Sequence, residues 1–529
     1  MPEPIVQSSS SSSANRWGGS DRHMVAALVL VALVVQALAW VGIQRLRGDA
    51  TAYAFQSPDA LEYVALGRGL AWQGRYVQLD SAGHPLSGPD TWRTPGYPLF
   101  LALIIRLGGD SPRVLLVAQQ MLAVATVPLL WLVLCRLARP RWALLAVLAW
   151  CCDPFRLYYS FWLMSETLFT FVLLVACLVW VGKGRGARGE GRGTRDGGTE
   201  GQGDGGIEGA TRRQGDKGTR GQVSAPSIRN SLAFILGLLA GLLVLIRPIA
   251  LPLPLLVLAG IALAGWRGSW RKWLTLNLLC LLGISLTLCP WLLRNRLVAG
   301  HFALSQQSGA SLAYHKVVDV TLWSEGRPEY RFDTEGAVAE IRERIDVRLR
   351  HEWPERYHPL SKEQLETLTW RNLNFGKPVA VDPFDASSML WSIGLDMLAG
   401  RLWAMVKCFT VQGLFMLIFP LGLILWPPAG SGGAPLSMLL GGRGGLAATV
   451  IPGLIGAVYA ALAGWILVRV IFAMVRGRWP AGFFALWPAL AMFAFSLPSE
   501  DPRFRLPLIP LFWILAVAQS PSPELKTGN

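Results

Sequence analysis

Carboxylates and arginines fall at the edges of apolar runs throughout this chain. The first group is Ser57-Pro58-Asp59-Ala60-Leu61-Glu62-Tyr63. Pro58 and an acidic first turn favour a helix starting at Asp59. Asp59, Glu62 and Tyr63 then share one face at i, i+3 and i+4. Such a carboxylate either caps the helix or acts as a general base on a hydroxyl. The second group is Thr91-Trp92-Arg93-Thr94-Pro95-Gly96-Tyr97-Pro98. Its prolines and glycine force a turn at the membrane surface. There Arg93 either anchors the interface or grips a phosphate with its planar fork. Glu166 follows in Met164-Ser165-Glu166-Thr167-Leu168, where apolar sequence makes an ionisable side chain costly. Arg247-Pro248 interrupts another apolar run, Pro290-Trp291-Leu292-Leu293-Arg294-Asn295 closes one, and Glu500-Asp501-Pro502-Arg503-Phe504-Arg505 separates the last two. Single arginines at such places also snorkel. Several of them with three carboxylates suit an anionic, lipid-linked substrate.

The elements that must position these residues are apolar helices. Of 529 residues, 52% are hydrophobic and only 16% charged, where a soluble chain carries about a quarter. The mean hydropathy is +0.39. This composition excludes a cytosolic enzyme, a secreted disulfide scaffold and a disordered protein. The formal charge of +15 fits basic loops that set membrane orientation, and gives no reason to invoke nucleic acid. The seven cysteines lie in or beside apolar runs without C-x-x-C spacing, so they read as small packing residues. A span needs about 20 apolar residues. Ten runs are read as spans: 24–42, 114–135, 142–159, 163–182, 232–246, 249–266, 274–293, 447–472, 481–497 and 506–519. The first is read as an uncleaved anchor, a signal peptide being the competing reading. Segment 98–107 is too short to cross, and 403–426 lies in the interface or re-enters.

Basic clusters at 136–141, 267–272 and 476–478, with the basic linker, place both termini inside. The expected organisation is a disordered cytoplasmic tail (1–23) and an N-terminal transmembrane catalytic module (24–182) with a first external loop (46–112). A disordered Gly/Arg-rich cytoplasmic linker follows (183–230). Then come transmembrane helices (231–296), an external cap with interfacial helices (297–446), C-terminal transmembrane helices (447–520) and a tail (521–529). The fold class expected is an all-α polytopic bundle of about ten transmembrane helices. Within the cap, 335–351 and 361–372 read as helices.

The ordered series resembles glycosyltransferase family 39 of the GT-C membrane enzymes, which includes protein O-mannosyltransferases and aminoarabinose transferases. The series is Asp59-x-x-x-Tyr63, Gly74-Arg75-Tyr76, Arg93-Thr-Pro-Gly-Tyr97-Pro-Leu-Phe100 and Met164-Ser-Glu166-x-Leu-Phe169. It continues with Arg247-Pro248, Pro290-Trp-x-x-Arg294-Asn295 and Arg503-Phe-Arg505-x-Pro507. The resemblance covers roughly 50–182, 231–315 and 480–520, and it implies a GT-C-like bundle. The family often has Asp-Glu in the first external loop; here it is Asp59-Ala60, with Glu62 nearby.

What the resemblance implies is transfer of a sugar from a polyprenyl-phosphate donor to a lipid, glycan or protein hydroxyl. It puts the catalytic carboxylates at Asp59 and Glu166, with Glu62 beside them. Arg93 falls near the donor phosphate, with Tyr63, Tyr97, Arg247, Arg294, Asn295, Arg503 and Arg505 as further substrate contacts. The expected place is a multi-pass inner (plasma) membrane protein, with its site on the external or periplasmic face and membrane lipids around it. GT-C enzymes sometimes use a divalent metal, for which Asp59, Glu62 and Glu166 offer oxygens. With no adjacent Asp-Asp pair, the expectation is no cofactor. A transporter or flippase of lipid-linked sugars would instead show inverted repeats and mid-membrane charges, and none is read in the sequence. A non-catalytic membrane scaffold is the third class; it would tolerate the loss of Asp59.

Overall fold

The computed structural model describes residues 19–55, 57–181, 230–265, 269–326, 335–352, 361, 382–408, 461, 464, 465, 468 and 508–517. The expectations for 1–18, for the linker to residue 229, for helix 361–372 beyond its first residue, and for Arg503 and Arg505 lie outside the described residues. So do most of 409–507 and the tail.

Helix α1 (Gly19–Arg47) starts earlier than expected and carries the first apolar run. After the short α2 (Ala50–Ala54) comes α3 (Pro58–Arg68), with Ser57 as N-cap, Pro58 in its first turn and Asp59 as its first-turn acid. The chain then forms a two-stranded antiparallel hairpin, β1 (Val77–Leu79) with β2 (Pro85–Pro89). This corrects the all-α expectation locally. Its turn is closed by Asp80 Oδ1, which accepts the N–H groups of Ala82 and His84, and by Gly83 at φ 87°. Next are α4 (Gly96–Gly108), α5 (Pro112–Leu137), α6 (Pro140–Cys151), α7 (Pro154–Ser160) and α8 (Ser165–Val181). Beyond the linker follow α9 (Asn230–Ile246), α10 (Pro252–Gly265) and α11 (Trp270–Ala299).

The run 142–159 is not one helix. Asp153-Pro154 breaks it: Pro cannot donate, and Asp153 Oδ1 accepts the N–H of Arg156 to start α7. By contrast α11 passes through Pro290 and ends at Gly300 (φ 78°). Among the described residues, three helices are long and apolar enough to cross a membrane: Arg22–Arg45, Pro112–Leu137 and Trp270–Ala299. A fourth is possible if Phe384–Ala399 and Leu402–Cys408, bent by 95°, form one span. The 17-residue α8 and α9 are each about 26 Å long, at the lower limit for crossing. Leu30, Leu38, Leu286 and Leu297 are exposed on α1 and α11, which are surfaces made for lipid rather than water.

The main core joins α5, α6, α8, α9 and the C-terminal helix Leu508–Val517 around Trp131, Trp150 and Phe169. Helices α9 and α11 meet at backbone distance. A Cβ on Gly237 would lie 2.1 Å from the Cys280 carbonyl oxygen, and one on Gly283 would lie 2.4 Å from that of Phe234. Small residues give membrane helices this approach.

The cap has a core of its own. In α12 (Glu335–Glu352), Ile341, Ile345 and Leu349 recur every four residues and pack with Val317, Leu390 and Ile393. Trp92 belongs to this cluster, so the arginine-bearing loop is held between cap and bundle.

Candidate active site

The site forms where non-helical segments meet helix ends. Asp90 builds the loop: its Oδ1 accepts the N–H groups of Trp92 (2.9 Å) and Arg93 (3.0 Å), and its Oδ2 accepts from Gln78 (2.8 Å). The cap fastens the same loop, with Gln306 Nε2 donating to Thr91 Oγ1 at 2.7 Å and Ser305 Oγ donating to the Trp92 carbonyl at 2.7 Å. The loop thus delivers Arg93, only 5% exposed, onto the first turns of α3. Its Nε and Nη2 donate to Glu62 Oε2 at 2.8 and 2.6 Å, and Nη2 also pairs with Asp59 Oδ1. The guanidinium carbon lies 5.1 Å from the centre of the Tyr63 ring. Burial works against this charge, but the facing Tyr63, Asp59 and Glu62 outweigh it and hold the arginine pKa above its ordinary value.

A second centre lies behind the first. Arg247 ends α9 and pairs through Nη1 with Glu166 Oε1 at 2.7 Å, with the Glu166 side chain 2% exposed. The centres are connected by aromatic rings: Tyr63 meets Tyr97 edge-on at 5.0 Å, and the Tyr97 hydroxyl donates to Gln119 at 3.1 Å. Gly96 makes the approach possible, because a Cβ there would lie 2.7 Å from Ile246 N and from the Leu245 carbonyl oxygen. Only glycine lets the start of α4 lean on the end of α9, next to Arg247.

Arg294 and Asn295 serve the frame. Arg294 lies over Tyr76 (5.3 Å) and Trp291 (4.9 Å), and donates to the Asp90 and Tyr76 carbonyl oxygens. Asn295 is fully buried; its Nδ2 donates to the Ala303 carbonyl at 2.7 Å, and its Oδ1 accepts from Arg294. They tie α11 to the loop that carries Arg93. Asp90, Gln119 and Tyr76 were not singled out as site residues from the sequence. Asp90 had a signal, an Asp followed by the Arg93-Thr-Pro-Gly turn.

Among the described residues, Asp59, Glu62 and Glu166 do not form a group that could share an ion. Asp59 and Glu62 face Arg93, and Glu166 faces Arg247. Among the described residues, His301, Asp382 and Asp385 do lie close enough for a shared ion, their ligand atoms within 4.8 Å. Asp382 already accepts the N–H groups of Phe384 (2.9 Å) and Asp385 (3.3 Å) as the cap of helix Pro383–Ala399. The positive end of that helix accounts for both acids and opposes a cation.

No family model matches the chain, and no curated protein does. Among solved structures it is similar to ArnT from Cupriavidus metallidurans bound to undecaprenyl phosphate. The identity is 14% and the TM-score 0.37, over 94% of this chain and 78% of that one. The apo state gives the same values. It is also similar to the archaeal oligosaccharyltransferase AglB from Archaeoglobus fulgidus, in complex with an inhibitory peptide and a dolichol-phosphate. There the identity is 14% and the TM-score 0.41, over 92% of this chain and half of that one. Likeness this loose carries no activity and no residue role from one chain to another.

Proposed function

We propose that this protein is a membrane glycosyltransferase that moves a sugar from a polyprenyl-phosphate donor to an acceptor hydroxyl at the external membrane face. The observation that carries the reading is the pairing of two acid–arginine centres, joined through Tyr63 and Tyr97, where apolar helices end. Asp59 is the base. It takes the acceptor proton as the acceptor oxygen attacks the anomeric carbon. The bond from that carbon to the phosphate oxygen breaks, and the polyprenyl phosphate leaves with the electron pair. Direct displacement inverts the anomeric centre. Glu62 holds the Arg93 guanidinium through two N–H groups, so the arginine can turn partly toward the donor phosphate without leaving its place. Arg93 then stabilises the charge growing on the phosphate, the electrostatic contribution that usually dominates such transfers, and the paired Arg247 and Glu166 form a fixed background. No nucleotide is needed, so no Gly-rich phosphate loop is needed.

The test uses the purified full chain in lipid nanodiscs with a panel of polyprenyl-phosphate sugars. Asp59-dependent release of polyprenyl phosphate, with the sugar recovered on an acceptor, is the expected result. Failure of every donor to bind would reject the reading. Turnover that survives Asp59→Asn would remove Asp59 as the base and make Glu166 the next group to test.

A further inference from the structure

Helix α5 carries two adjacent glutamines inside apolar sequence, Gln119 and Gln120, 0% and 3% exposed. Burying an amide is unfavourable unless its hydrogen bonds are remade, and hydrocarbon offers no water to remake them. Both amides find partners in the break between α7 and α8. Gln120 Nε2 donates to the Ser160 carbonyl at 2.8 Å, and Gln36 of α1 joins it there, donating to Ser160 Oγ at 2.8 Å. That set ties α1 and α5 to the end of α7.

Gln119 does something different. Its Nε2 faces the Trp162 carbonyl (3.0 Å), the Met164 carbonyl (3.1 Å) and Thr167 Oγ1 (3.1 Å), which flank Glu166 on both sides. Its Oε1 accepts from the Tyr97 hydroxyl. One side chain therefore holds the start of α8, which carries Glu166, and the start of α4, whose tyrosine packs on Tyr63 beneath Arg93.

We propose that Gln119 is a positioning residue that sets the Glu166–Arg247 centre in register with the Asp59–Glu62–Arg93 centre. The kinetic part of the inference rests on the glycosyltransferase reading above. A packing role alone would need neither the amide nor its contact with Tyr97.

The test compares Gln119→Met, Tyr97→Phe and the double variant with the wild type, all as full-length protein in nanodiscs. Met keeps the length of the side chain and removes its hydrogen bonds. Gln119→Met should lower kcat about 10-fold to 100-fold, with the donor KM little changed, the size expected when reacting groups are slightly misplaced. Tyr97→Phe should lower it less, and the double variant should be no worse than Gln119→Met, because both act through one contact. Thr126→Val breaks a buried hydrogen bond with Trp150 farther along α5. It should lower thermal stability and leave kcat unchanged. Unchanged kcat in folded Gln119→Met overturns the proposal. If that variant does not fold, unchanged kcat in Tyr97→Phe overturns it instead. Should the wild type transfer no sugar, the functional reading fails by itself, and amide hydrogen exchange still decides this inference. Faster exchange at both 94–98 and 162–167 in Gln119→Met supports the register role. Faster exchange confined to 162–167 overturns it.

Discussion

Arg93 and Arg247 both face carboxylates, yet the two centres differ in exposure and in the number of acids they meet. Arg93 answers to Asp59 and Glu62 together, and those side chains are 20% and 15% exposed. Arg247 meets Glu166, whose side chain is 2% exposed. Among the described residues, the first centre sets two partly exposed carboxylates against one guanidinium. Its carboxylates can exchange a proton with an acceptor. Among the described residues, the second sets one carboxylate against one guanidinium, both nearly dry, so removing Arg247 strands the Glu166 charge where little water reaches. On the proposed reading, the contrast gives the chemistry to the first centre and a fixed electrostatic background to the second. Each experiment below breaks or sharpens that division.

The largest effect is expected at Asp59. A positioned base contributes about 10²–10⁴ in rate. Asp59→Asn keeps the shape and remains a good helix-end residue. Transfer from a lipid donor should therefore fall by that factor while the melting temperature stays near wild type. A silent Asp59→Asn would reduce the residue to a cap and erase the contrast from the catalytic side.

Breaking the second centre should show in stability first. Arg247→Ala leaves Glu166 charged and buried, which costs about 3–5 kcal/mol. Combining Arg247→Met with Glu166→Leu should return most of that loss, because an apolar pair has no charge to strand. Thermal unfolding in one detergent, for the single and double variants, measures this. A double variant as unstable as Arg247→Ala would mean that the stranded Glu166 charge is not what destabilises the single variant.

The link between the centres can be strained without touching a charge. Gly96→Ala places a methyl group 2.7 Å from the α9 backbone, which must then move. Overpacking of this kind costs about 1–3 kcal/mol. The expected outcome is a modest fall in melting temperature with a larger fall in transfer, since the shift falls between Tyr97 and Arg247. Equal transfer by the alanine variant would show that the two centres tolerate relative movement.

Sequence legibility followed distance along the chain. Asp59, Glu62 and Tyr63 could be placed on one face because helical periodicity fixes neighbours three and four apart, and all three do contact Arg93. Glu166 stands out as a costly ion and Arg247 as an interruption of an apolar run, but no local rule pairs residues on helices separated by a long linker. The phosphate reading of Arg93 took no account of its protein partners, which are the same acids read as catalytic. The hairpin at 77–89 was missed because its strands hold Pro85, Gly88 and Pro89 and read as loop. Run 142–159 was read as one span because hydropathy averaged over Asp153-Pro154, although that pair is a strong helix stop and start. Gln119 was overlooked for the same reason: two polar residues scarcely alter the hydropathy of a 26-residue helix.

The smallest effect, and the finest test of the contrast, lies inside the first centre. Glu62 accepts from both Nε and Nη2 of Arg93 on a single oxygen, whereas Asp59 accepts from Nη2 alone. Glu62 is thus the holder of the guanidinium and Asp59 its neighbour. Gln at position 62 still offers a carbonyl oxygen to Arg93, so the arginine should stay in place. What changes is charge: the substitution removes one negative charge beside Arg93, which makes the centre less hostile to a donor phosphate. Glu62→Gln should therefore lower kcat far less than Asp59→Asn does, while donor KM stays equal or falls. Steady-state kinetics on the two variants, run side by side with one donor, separates the roles. A loss in Glu62→Gln as large as that in Asp59→Asn would mean that the two carboxylates act as one unit, and that the holder and the base cannot be told apart.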